Sequence, residues 1–427
     1  MKDQRESMVK SKVQNTGLIS RNARRAVRIA LICVGVLLAA ILSAGPAGAQ
    51  TYTETVVHVF TGPDGSFPGT LLAASGGNFY GTASAGPYDS GEIYKISKTG
   101  ALTVFYTFGP PPDGSSPGGL IQDPAGDLYG VTVNGGTHSD GTIFKLDPTG
   151  KETVLYNFAG GSDGRQPTSL IRDAAGNLYG TTYEGGASGL GTVFRFSAAG
   201  VESVLYSFKG PPDGETPAAG LVRDSAGNLY GVTVYGGSPP TCYSPGCGTI
   251  FEITARGQEI VLYNFTDGSD GENPEGGLIR DAAGNLYGTT LNGGLGGGSY
   301  CCGTLFKLSP KGKLTVLYAF YDNGTFPLGG LIRDSAGNLY GTTWMGGAGP
   351  CSYGGFYYYG CGSVYELSAS GQESMLYGFT GAPDGEYPSS TLVRDAAGNL
   401  YGAASQGGDA ACDPPYGCGT VFKLAPQ

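Results

Sequence analysis

The feature that most restricts the fold of this chain is a sevenfold repeat. A Leu/Phe-Tyr-Gly tripeptide recurs at spacings of 49 to 61 residues, with its tyrosines at Tyr80, Tyr129, Tyr179, Tyr230, Tyr287, Tyr340 and Tyr401. Each copy contains four short strand-like runs separated by turn residues, and no stretch after Gln50 has sustained helical periodicity. Four strands in a repeat of about 50 residues are typical of a propeller blade. The sequence therefore predicts an all-β, seven-bladed β-propeller of four-stranded blades.

The most regular part of the repeat is the segment Arg172–Thr182, RDAAGNLYGTT. Asp173 and Gly176 lie between two strand-like runs, where a tight hairpin needs a residue with positive φ and a side chain that bonds to the local backbone. The segment is therefore predicted to be a hairpin, repeated because the blade is repeated, and not a repeated active site.

The whole motif supports a family resemblance. DxAGNLYGTT, a glycine pair, GT(V/I)F(K/R)L, LYxF and DGxxP together resemble the Gloeo/Verruco (GloVer) tandem repeat of exported bacterial proteins, which is similar to NHL and kelch repeats. The copies depart from it locally, with Ala74 for the turn aspartate and Asn323 within the sixth DG loop. The resemblance implies no established biochemical activity.

By analogy with NHL blades, the LIRD strand is innermost and the VLYxF strand outermost. The repeats then begin on an outer-type strand, Thr53–Phe60, and end on a third-type strand, Gly419–Leu424. Pairing these two would complete the last blade and remove two exposed strand edges. We expect the N-terminal strand to close the ring.

Residues 1–49 are predicted to be a signal peptide, followed by the propeller domain, residues 50–427. Four arginines, Arg21, Arg24, Arg25 and Arg28, precede the apolar run 29–44, and Ala47-Gly-Ala49 fits a cleavage site before Gln50. The run is shorter than a spanning helix, although an uncleaved anchor remains an alternative. We expect a secreted, periplasmic or cell-surface protein.

Charge limits the partners of the mature chain. Residues 50–427 carry 17 basic and 33 acidic side chains, a formal net charge of −16. That charge disfavours nucleic acid and anionic membranes as partners. We expect a monomer that binds a glycan or an envelope protein, with no cofactor and no membrane contact after signal removal.

Nearly all length variation lies in the loops between the second and third strands, which share one face of the disc with the DGxxP loops. We call it the variable face, and variable loops on a rigid scaffold commonly bind ligands. The last four such loops each carry a cysteine pair: Cys242 and Cys247, Cys301 and Cys302, Cys351 and Cys361, and Cys412 and Cys418. Placement and export predict disulfides within each loop. Cross-pairing of Cys301 and Cys302 with a neighbouring loop and a zinc site are alternatives.

Aromatic residues in and beside these loops are the candidate ligand-binding residues: Tyr243, Tyr300, Trp344, Tyr353, Phe356, Tyr357, Tyr358 and Tyr359. Rigid aromatics on braced loops offer a stacking surface for sugars or peptides at low entropic cost. Alternatively, these rings only cover blade edges.

Two repeated sets of charged residues have competing interpretations. The arginines beside the hairpin aspartates either line the channel or pair with neighbouring blades: Arg172, Arg223, Arg280, Arg333 and Arg394. The loop aspartates either bind calcium or form ordinary turns: Asp64, Asp113, Asp163, Asp213, Asp270 and Asp384.

No catalytic constellation is evident. His58 and His138 are the two histidines, lie in different blades and have no Ser or Cys nucleophile motif beside them. Variable-face carboxylates such as Glu184, Asp409 and Asp413 could serve a hydrolase or lyase. We expect a non-catalytic binding module, with a carbohydrate-active enzyme and a structural envelope protein as alternatives.

Overall fold

The computed structural model confirms the seven-bladed propeller. It describes residues 51–427 except for 87, 98, 239–241, 243–244, 267, 295–301, 322–323, 348, 352–359 and 415. The signal-peptide prediction for residues 1–49 therefore lies outside the described residues. Within them, no helix is long and apolar enough to cross a membrane.

The described chain enters the fold on β1 (Tyr52–Val59), the outer strand of the last blade. Blade 1 follows with β2 (Ser66–Ala73), β3 (Phe79–Ala85), β4 (Glu92–Ile96) and β5 (Leu102–Thr107), and a 3-10 turn at Ser75–Gly77. Blade 2 contains β6 (Gly114–Gln122), β7 (Leu128–Gly135), β8 (Thr142–Leu146) and β9 (Glu152–Asn157). Blade 3 contains β10 (Arg165–Arg172), β11 (Leu178–Glu184), β12 (Thr192–Phe196) and β13 (Glu202–Ser207).

The next three blades have shorter inner strands. Blade 4 contains β14 (Gly214–Glu215), β15 (Val222–Arg223), β16 (Leu229–Thr233), β17 (Tyr235–Gly236), β18 (Thr249–Ile253) and β19 (Glu259–Asn264). Blade 5 contains β20 (Ile279–Arg280), β21 (Leu286–Thr290), β22 (Thr304–Leu308) and β23 (Leu314–Ala319). Blade 6 contains β24 (Ile332–Arg333), β25 (Leu339–Thr343), β26 (Ser363–Leu367) and β27 (Glu373–Gly378).

Blade 7 closes the ring as the strand count predicts. It contains β28 (Gly385–Pro388), β29 (Val393–Arg394), β30 (Leu400–Gly407) and β31 (Thr420–Pro426), and β1 pairs antiparallel with β31. The last blade thus takes its outer strand from the start of the propeller domain, which leaves neither edge unpaired.

The shorter inner strands of blades 4 to 7 have a sequence cause. In blades 1 to 3 two residues separate the loop proline from the core leucine, as in Pro167-Thr-Ser-Leu170, whereas three do so in blades 4 to 7, as in Pro274-Glu-Gly-Gly-Leu278. An extra residue interrupts the hydrogen-bond ladder in the manner of a β-bulge. The inner strand is therefore split, and the inserted stretch lies against the central channel.

Adjacent blades are joined by the same aromatic contact at all seven seams. A phenylalanine that follows each outer strand packs edge-to-face on the third-strand ring of the next blade, with centroids 4.9–5.3 Å apart. These seven phenylalanines are at most 1 % exposed. The glycine of Leu-Tyr-Gly lies beneath the third-strand ring: a Cβ on Gly130 would lie 2.5 Å from the Phe144 ring. The tripeptide that defines the repeat therefore marks where an aromatic ring must pass close to backbone.

A second contact, between glycine and proline, also recurs at every seam. The glycine before each third strand has a φ of 87° to 99°, and a Cβ there would lie within 2.6 Å of the proline of the next blade: Gly91 and Pro117, Gly141 and Pro167, Gly191 and Pro217, Gly248 and Pro274, Gly303 and Pro327, Gly362 and Pro388, and Gly419 and Pro68. Only glycine combines this φ with so close an approach.

Replacing one seam glycine should therefore separate two blades. Gly191→Ala would place its Cβ 2.5 Å from Pro217 and 2.6 Å from the Thr182 carbonyl oxygen, so we expect a loss of about 3 kcal/mol or more in the free energy of unfolding. Gly200→Ala is the matched control, because its φ is 83° but no atom lies within 4 Å of the added Cβ; it should cost only about 1 kcal/mol. Urea unfolding would measure both, and equal losses would contradict this account.

Candidate functional site

The variable-face loops contain disulfides where the sequence predicts them. Cys242 is bonded to Cys247, Cys351 to Cys361 and Cys412 to Cys418. Cys302 is also disulfide-bonded, whereas Cys301 lies outside the described residues, so the question of cross-pairing there stays open. The six thiols of the three described pairs are consumed as disulfides and are not free to bind zinc. Disulfide formation fits an oxidising compartment outside the cytoplasm.

The second cysteine of each described disulfide also accepts a hydrogen bond between blades. The carbonyl oxygen of the second cysteine accepts from a backbone N–H of the next blade: Asn273 to Cys247 at 2.9 Å, Tyr387 to Cys361 at 2.8 Å and Phe67 to Cys418 at 2.9 Å. In the first three blades the same acceptor position is occupied by Ser90, Asp140 and Leu190. The disulfides therefore tie the longer loops directly to the seams.

The donors of these bonds form a ring at the channel mouth that the sequence reasoning missed. One residue per blade, in front of the loop proline, has a φ between 53° and 59°: Phe67, Ser116, Gln166, Thr216, Asn273, Phe326 and Tyr387. Positive φ is uncommon in residues other than glycine and is maintained only by surrounding contacts. In the sequence these residues are marked only by their place before the proline of DGxxP, and that motif does not reveal that their φ is positive.

Trp344 is the one candidate ligand-binding aromatic among the described residues. Its backbone N–H donates to the Phe326 carbonyl oxygen at 2.9 Å, and its ring lies against two members of the mouth ring, with centroids 6.4 Å from Phe326 and 5.4 Å from Tyr387. The side chain is partly exposed. Phe326 and Tyr387 each stand two residues before a channel-lining residue, so Trp344 lies beside the channel mouth.

The other predicted binding aromatics lie outside the described residues and remain predictions: Tyr243, Tyr300, Tyr353, Phe356, Tyr357, Tyr358 and Tyr359.

The central channel contains a cavity of about 380 Å³ lined by inner-strand residues of all seven blades. The lining is mostly Gly, Ser, Thr and Ala, and Glu275 is its one ionisable side chain. Burial raises the pKa of Glu275, and among the described residues no cation forms an ion pair with it. Burial is the main cause that raises the pKa of the Tyr183 phenol, and the negative charge of Glu275 adds to the rise. The described lining of the channel therefore holds one carboxyl group, below a mouth that carries aromatic rings.

The loop aspartates are engaged in the fold. Each accepts a hydrogen bond from a side chain of the preceding outer strand: Asp113 from Tyr106, Asp163 from Tyr156, Asp213 from Tyr206, Asp270 from Tyr263 and Asp384 from Tyr377, at 2.8–3.0 Å. Each also accepts a backbone N–H of its own loop. This is the turn role, and in the described residues no group of three or more Asp, Glu, His or Cys has metal-binding geometry.

His58 takes the tyrosine's place at the closing seam. Its Nε2 lies 2.7 Å from Asp64, and its ring packs edge-to-face on Phe60 with centroids 4.9 Å apart. It lies partly buried in the seam. His138 is exposed and bonds to Thr137 at 3.0 Å.

The variable-face carboxylates do not form a catalytic pair. Glu184 forms an ion pair with Arg165, Asp409 caps a turn through the Ala411 N–H, and Asp413 lines a separate cavity beside Cys412.

The five repeated arginines contact the neighbouring blade through a tyrosine ring. Each guanidinium carbon lies 5.7–5.9 Å from the ring centroid of the Leu-Tyr-Gly tyrosine in the preceding blade. Arg172 also lies 3.9 Å from Asp123. The inter-blade interpretation is therefore the better one, with cation–π contact as the main component. Arg333 and Arg394 line, in addition, a cavity of about 580 Å³ formed by the ends of the inner strands.

The fold and these loops define a class, the seven-bladed propeller with disulfide-braced loops, and comparison with known families gives the family. The chain belongs to the Gloeobacter/Verrucomicrobia repeat family, whose model matches residues 40–173, 72–295 and 166–359. This confirms the resemblance drawn from the motif.

Solved structures agree with the fold. Virginiamycin B lyase from Staphylococcus aureus is similar with a TM-score of 0.56 at 15% identity, over 88% of this chain and 99% of that one. The extracellular domain of the putative one-component system BT4673 from B. thetaiotaomicron gives 0.55 at 11% identity, over 88% and 40%. At these identities the likeness shows the fold alone. None of the curated proteins compared with the chain matches it.

Four glutamates at the starts of outer strands make stability depend on pH. Burial raises the pKa of Glu54, Glu152, Glu202 and Glu259 to about 7, and the aspartate of a tyrosine–aspartate pair adds to the rise. One carboxyl oxygen of each is buried without a hydrogen-bond partner. Because the folded pKa lies above the unfolded value of 4.5, their stabilising contribution is complete below that value and is lost as pH rises through about 7.

We therefore expect the free energy of unfolding to fall between about pH 5 and about pH 8. A pKa difference of one unit between the folded and unfolded states changes the free energy of unfolding by at most about 1.4 kcal/mol per group. Solvent screening of these partly exposed groups reduces that change further. The triple variant Glu152→Gln, Glu202→Gln, Glu259→Gln should flatten the profile, whereas Asp89→Asn, in an exposed loop, should leave it unchanged. Urea titrations across this pH range provide the measurement, and an unaltered slope in the triple variant would contradict the assignment.

Proposed function

We propose that this protein is an exported, non-catalytic binding propeller that recognises a glycan at the channel mouth on its variable face. The observation that carries the proposal is Trp344, partly exposed and fixed between Phe326 and Tyr387 beside a channel that contains Glu275. An indole offers a flat apolar face for the C–H face of a sugar ring, and a carboxylate accepts hydrogen bonds from sugar hydroxyls.

Rigidity supports this use of the mouth. Trp344 is fixed through its backbone N–H, and Tyr387 donates to Cys361, a member of a disulfide. A surface whose aromatic groups are already ordered loses little side-chain entropy on binding. The predicted aromatics of the sixth loop, residues 353–359, belong to the same proposal because Cys351 and Cys361 enclose them.

Binding is favoured over catalysis because the described lining of the channel offers one carboxyl group. Hydrolysis of a glycosidic bond usually uses a pair of carboxyl groups flanking it, and Glu184 is already paired with Arg165. A recognition site needs no second acid.

The test is affinity electrophoresis of residues 50–427 through gels that contain different polysaccharides, with reducing-sugar release assayed in the same mixtures. We expect retardation by at least one polysaccharide without release, and Trp344→Ala should weaken it about tenfold, about 1.4 kcal/mol. Tyr88→Ala is the matched control, because Tyr88 is an exposed variable-face aromatic, and it should bind like the original chain.

Two results would contradict the proposal, and a folding control decides how a third is read. Release of reducing ends would make the protein an enzyme. Retardation that survives Trp344→Ala would place the site elsewhere. Lost retardation counts as support only if Trp344→Ala keeps the thermal midpoint of the original chain within a few degrees, since about 1 kcal/mol shifts the midpoint of a domain of this size by a few degrees at most.

A further inference from the structure

The repeat provides an internal template for one inter-blade site. In five seams, from blade 2–blade 3 to blade 6–blade 7, an arginine at the end of an inner strand reaches the preceding blade. The best-defined case is Arg172: its guanidinium lies 5.9 Å from the Tyr129 ring and 3.9 Å from the Asp123 carboxylate. It also lies against its own hairpin, 3.2 Å from a Cβ built on Gly176. The guanidinium is thus defined by a tyrosine face, a carboxylate and a hairpin glycine.

The seam between blade 7 and blade 1 has the tyrosine and the aspartate of this site but not the arginine. Blade 7 supplies Asp395 and Tyr401, whose hydroxyl donates to Asp395 at 3.3 Å, just as Tyr179 donates to Asp173 at 3.1 Å. Blade 1 has Ala73 at the position that corresponds to Arg172. Ala73 is exposed and too short to reach the tyrosine ring.

A cavity of about 510 Å³ lies in this seam, and it is lined by Asp395, Tyr401 and Gly77. Gly77 is the hairpin glycine that corresponds to Gly176, so the cavity touches all three components that surround the guanidinium elsewhere. It is enlarged by Val57, another lining residue, because the outer strands of blades 2 to 6 carry leucine at that position.

Electrostatics permit a cation there. Burial alone would raise the pKa of Asp395, but hydrogen bonds from Asn399 and backbone N–H groups outweigh it and lower the pKa. Lys423 lies 5.8 Å from the Tyr401 ring centroid, but a lysine in the same place does not exclude an arginine: Tyr129 is flanked by Lys145 at 5.7 Å as well as by Arg172.

The seam between blades 1 and 2 shows what the receptor requires. It also lacks the arginine, with Gln122 in its place, but blade 1 has Ala74 where the other blades have the aspartate. Gln122 donates to the Gly126 carbonyl oxygen of its own hairpin at 3.2 Å and accepts from the Ser75 backbone N–H of blade 1 at 3.4 Å. The seam between blades 7 and 1 thus keeps the tyrosine and the aspartate and lacks the arginine, and Phe79 of blade 1 packs on part of the Tyr401 ring with centroids 4.4 Å apart.

We propose that the cavity between blades 7 and 1 binds the guanidinium group of an arginine side chain on a partner polypeptide. The N–H groups of the guanidinium donate to Asp395, and its plane lies against the part of the Tyr401 ring that Phe79, 4.4 Å away between centroids, leaves uncovered. Val57 and Phe79 contact the methylene stem. The site is separate from the channel mouth on the variable face, so it does not depend on the glycan proposal.

The test uses N-acetyl-arginine methylamide as the probe, with the lysine analogue as the comparison, and follows binding to residues 50–427 by calorimetry and by NMR shifts. We expect the arginine probe to bind at millimolar or lower concentration and the lysine probe at least about tenfold more weakly, because only guanidinium combines stacking with two parallel donors. Ala73→Arg should abolish binding and raise the thermal midpoint, because it supplies the missing contact within the chain.

Two further variants make the result decisive. Val57→Leu narrows the cavity and should weaken probe binding even if Ala73→Arg does not fold. Arg172→Ala vacates the corresponding place between blades 2 and 3 and should create a second site for the same probe. Failure of the original chain to bind the arginine probe, equal binding of the lysine probe, or undiminished binding in both Ala73→Arg and Val57→Leu would overturn the proposal. Binding of free L-arginine without binding of the blocked probe would overturn the polypeptide source.

Discussion

The structure depends on the contact that each third-strand glycine makes with the proline of the next blade. This contact brings two backbones together at the variable face and aligns the adjacent hydrogen bond, in which the residue before that proline donates to the residue before the glycine, as Gln166 donates to Asp140 at 2.9 Å. The buried aromatic pair completes each seam from below. Because one blade cannot bury its faces alone, stability is distributed over seven nearly equal seams, and the ring is complete only when β1 pairs with β31.

Deviations from the repeat are therefore more informative than the repeat itself. The tyrosine–aspartate pairs and arginine–tyrosine contacts recur because neighbouring blades must be held in register, and they need no ligand to explain them. Glu275 and Ala73 occupy positions where the other blades carry a different kind of side chain, and Trp344 is the one tryptophan of the chain, at a position where blade 3 carries Tyr183. Two of them lie at the channel mouth and the third lies in the closing seam, which separates the two proposed binding sites.

Much of the fold could be predicted from sequence because the same pattern of strands and turns occurs in seven copies. Period, strand number, hairpin turns, ring closure and disulfide placement all follow from spacing and residue type. The mouth ring could not be predicted, since the φ of Phe326 or Tyr387 is imposed by the seam and nothing in a tyrosine or phenylalanine codes for it. Glu275 was missed because one glutamate between the loop proline and the core leucine carries no sequence signal of its own, and only the arrangement of the seven inner segments around the channel places it there.

The same physics explains why binding sites are available in so regular a molecule. Where an arginine fills a seam, the tyrosine and the aspartate that it contacts are not accessible to ligands. Arg172, for example, contacts both Asp123 and Tyr129. Removing one arginine at the sequence level leaves the preceding tyrosine and aspartate in place, because the hairpin they belong to is stabilised by its own hydrogen bonds, as Asp395 shows with Asn399 at 2.7 Å. A repeat protein can thus acquire a preformed receptor by losing one side chain.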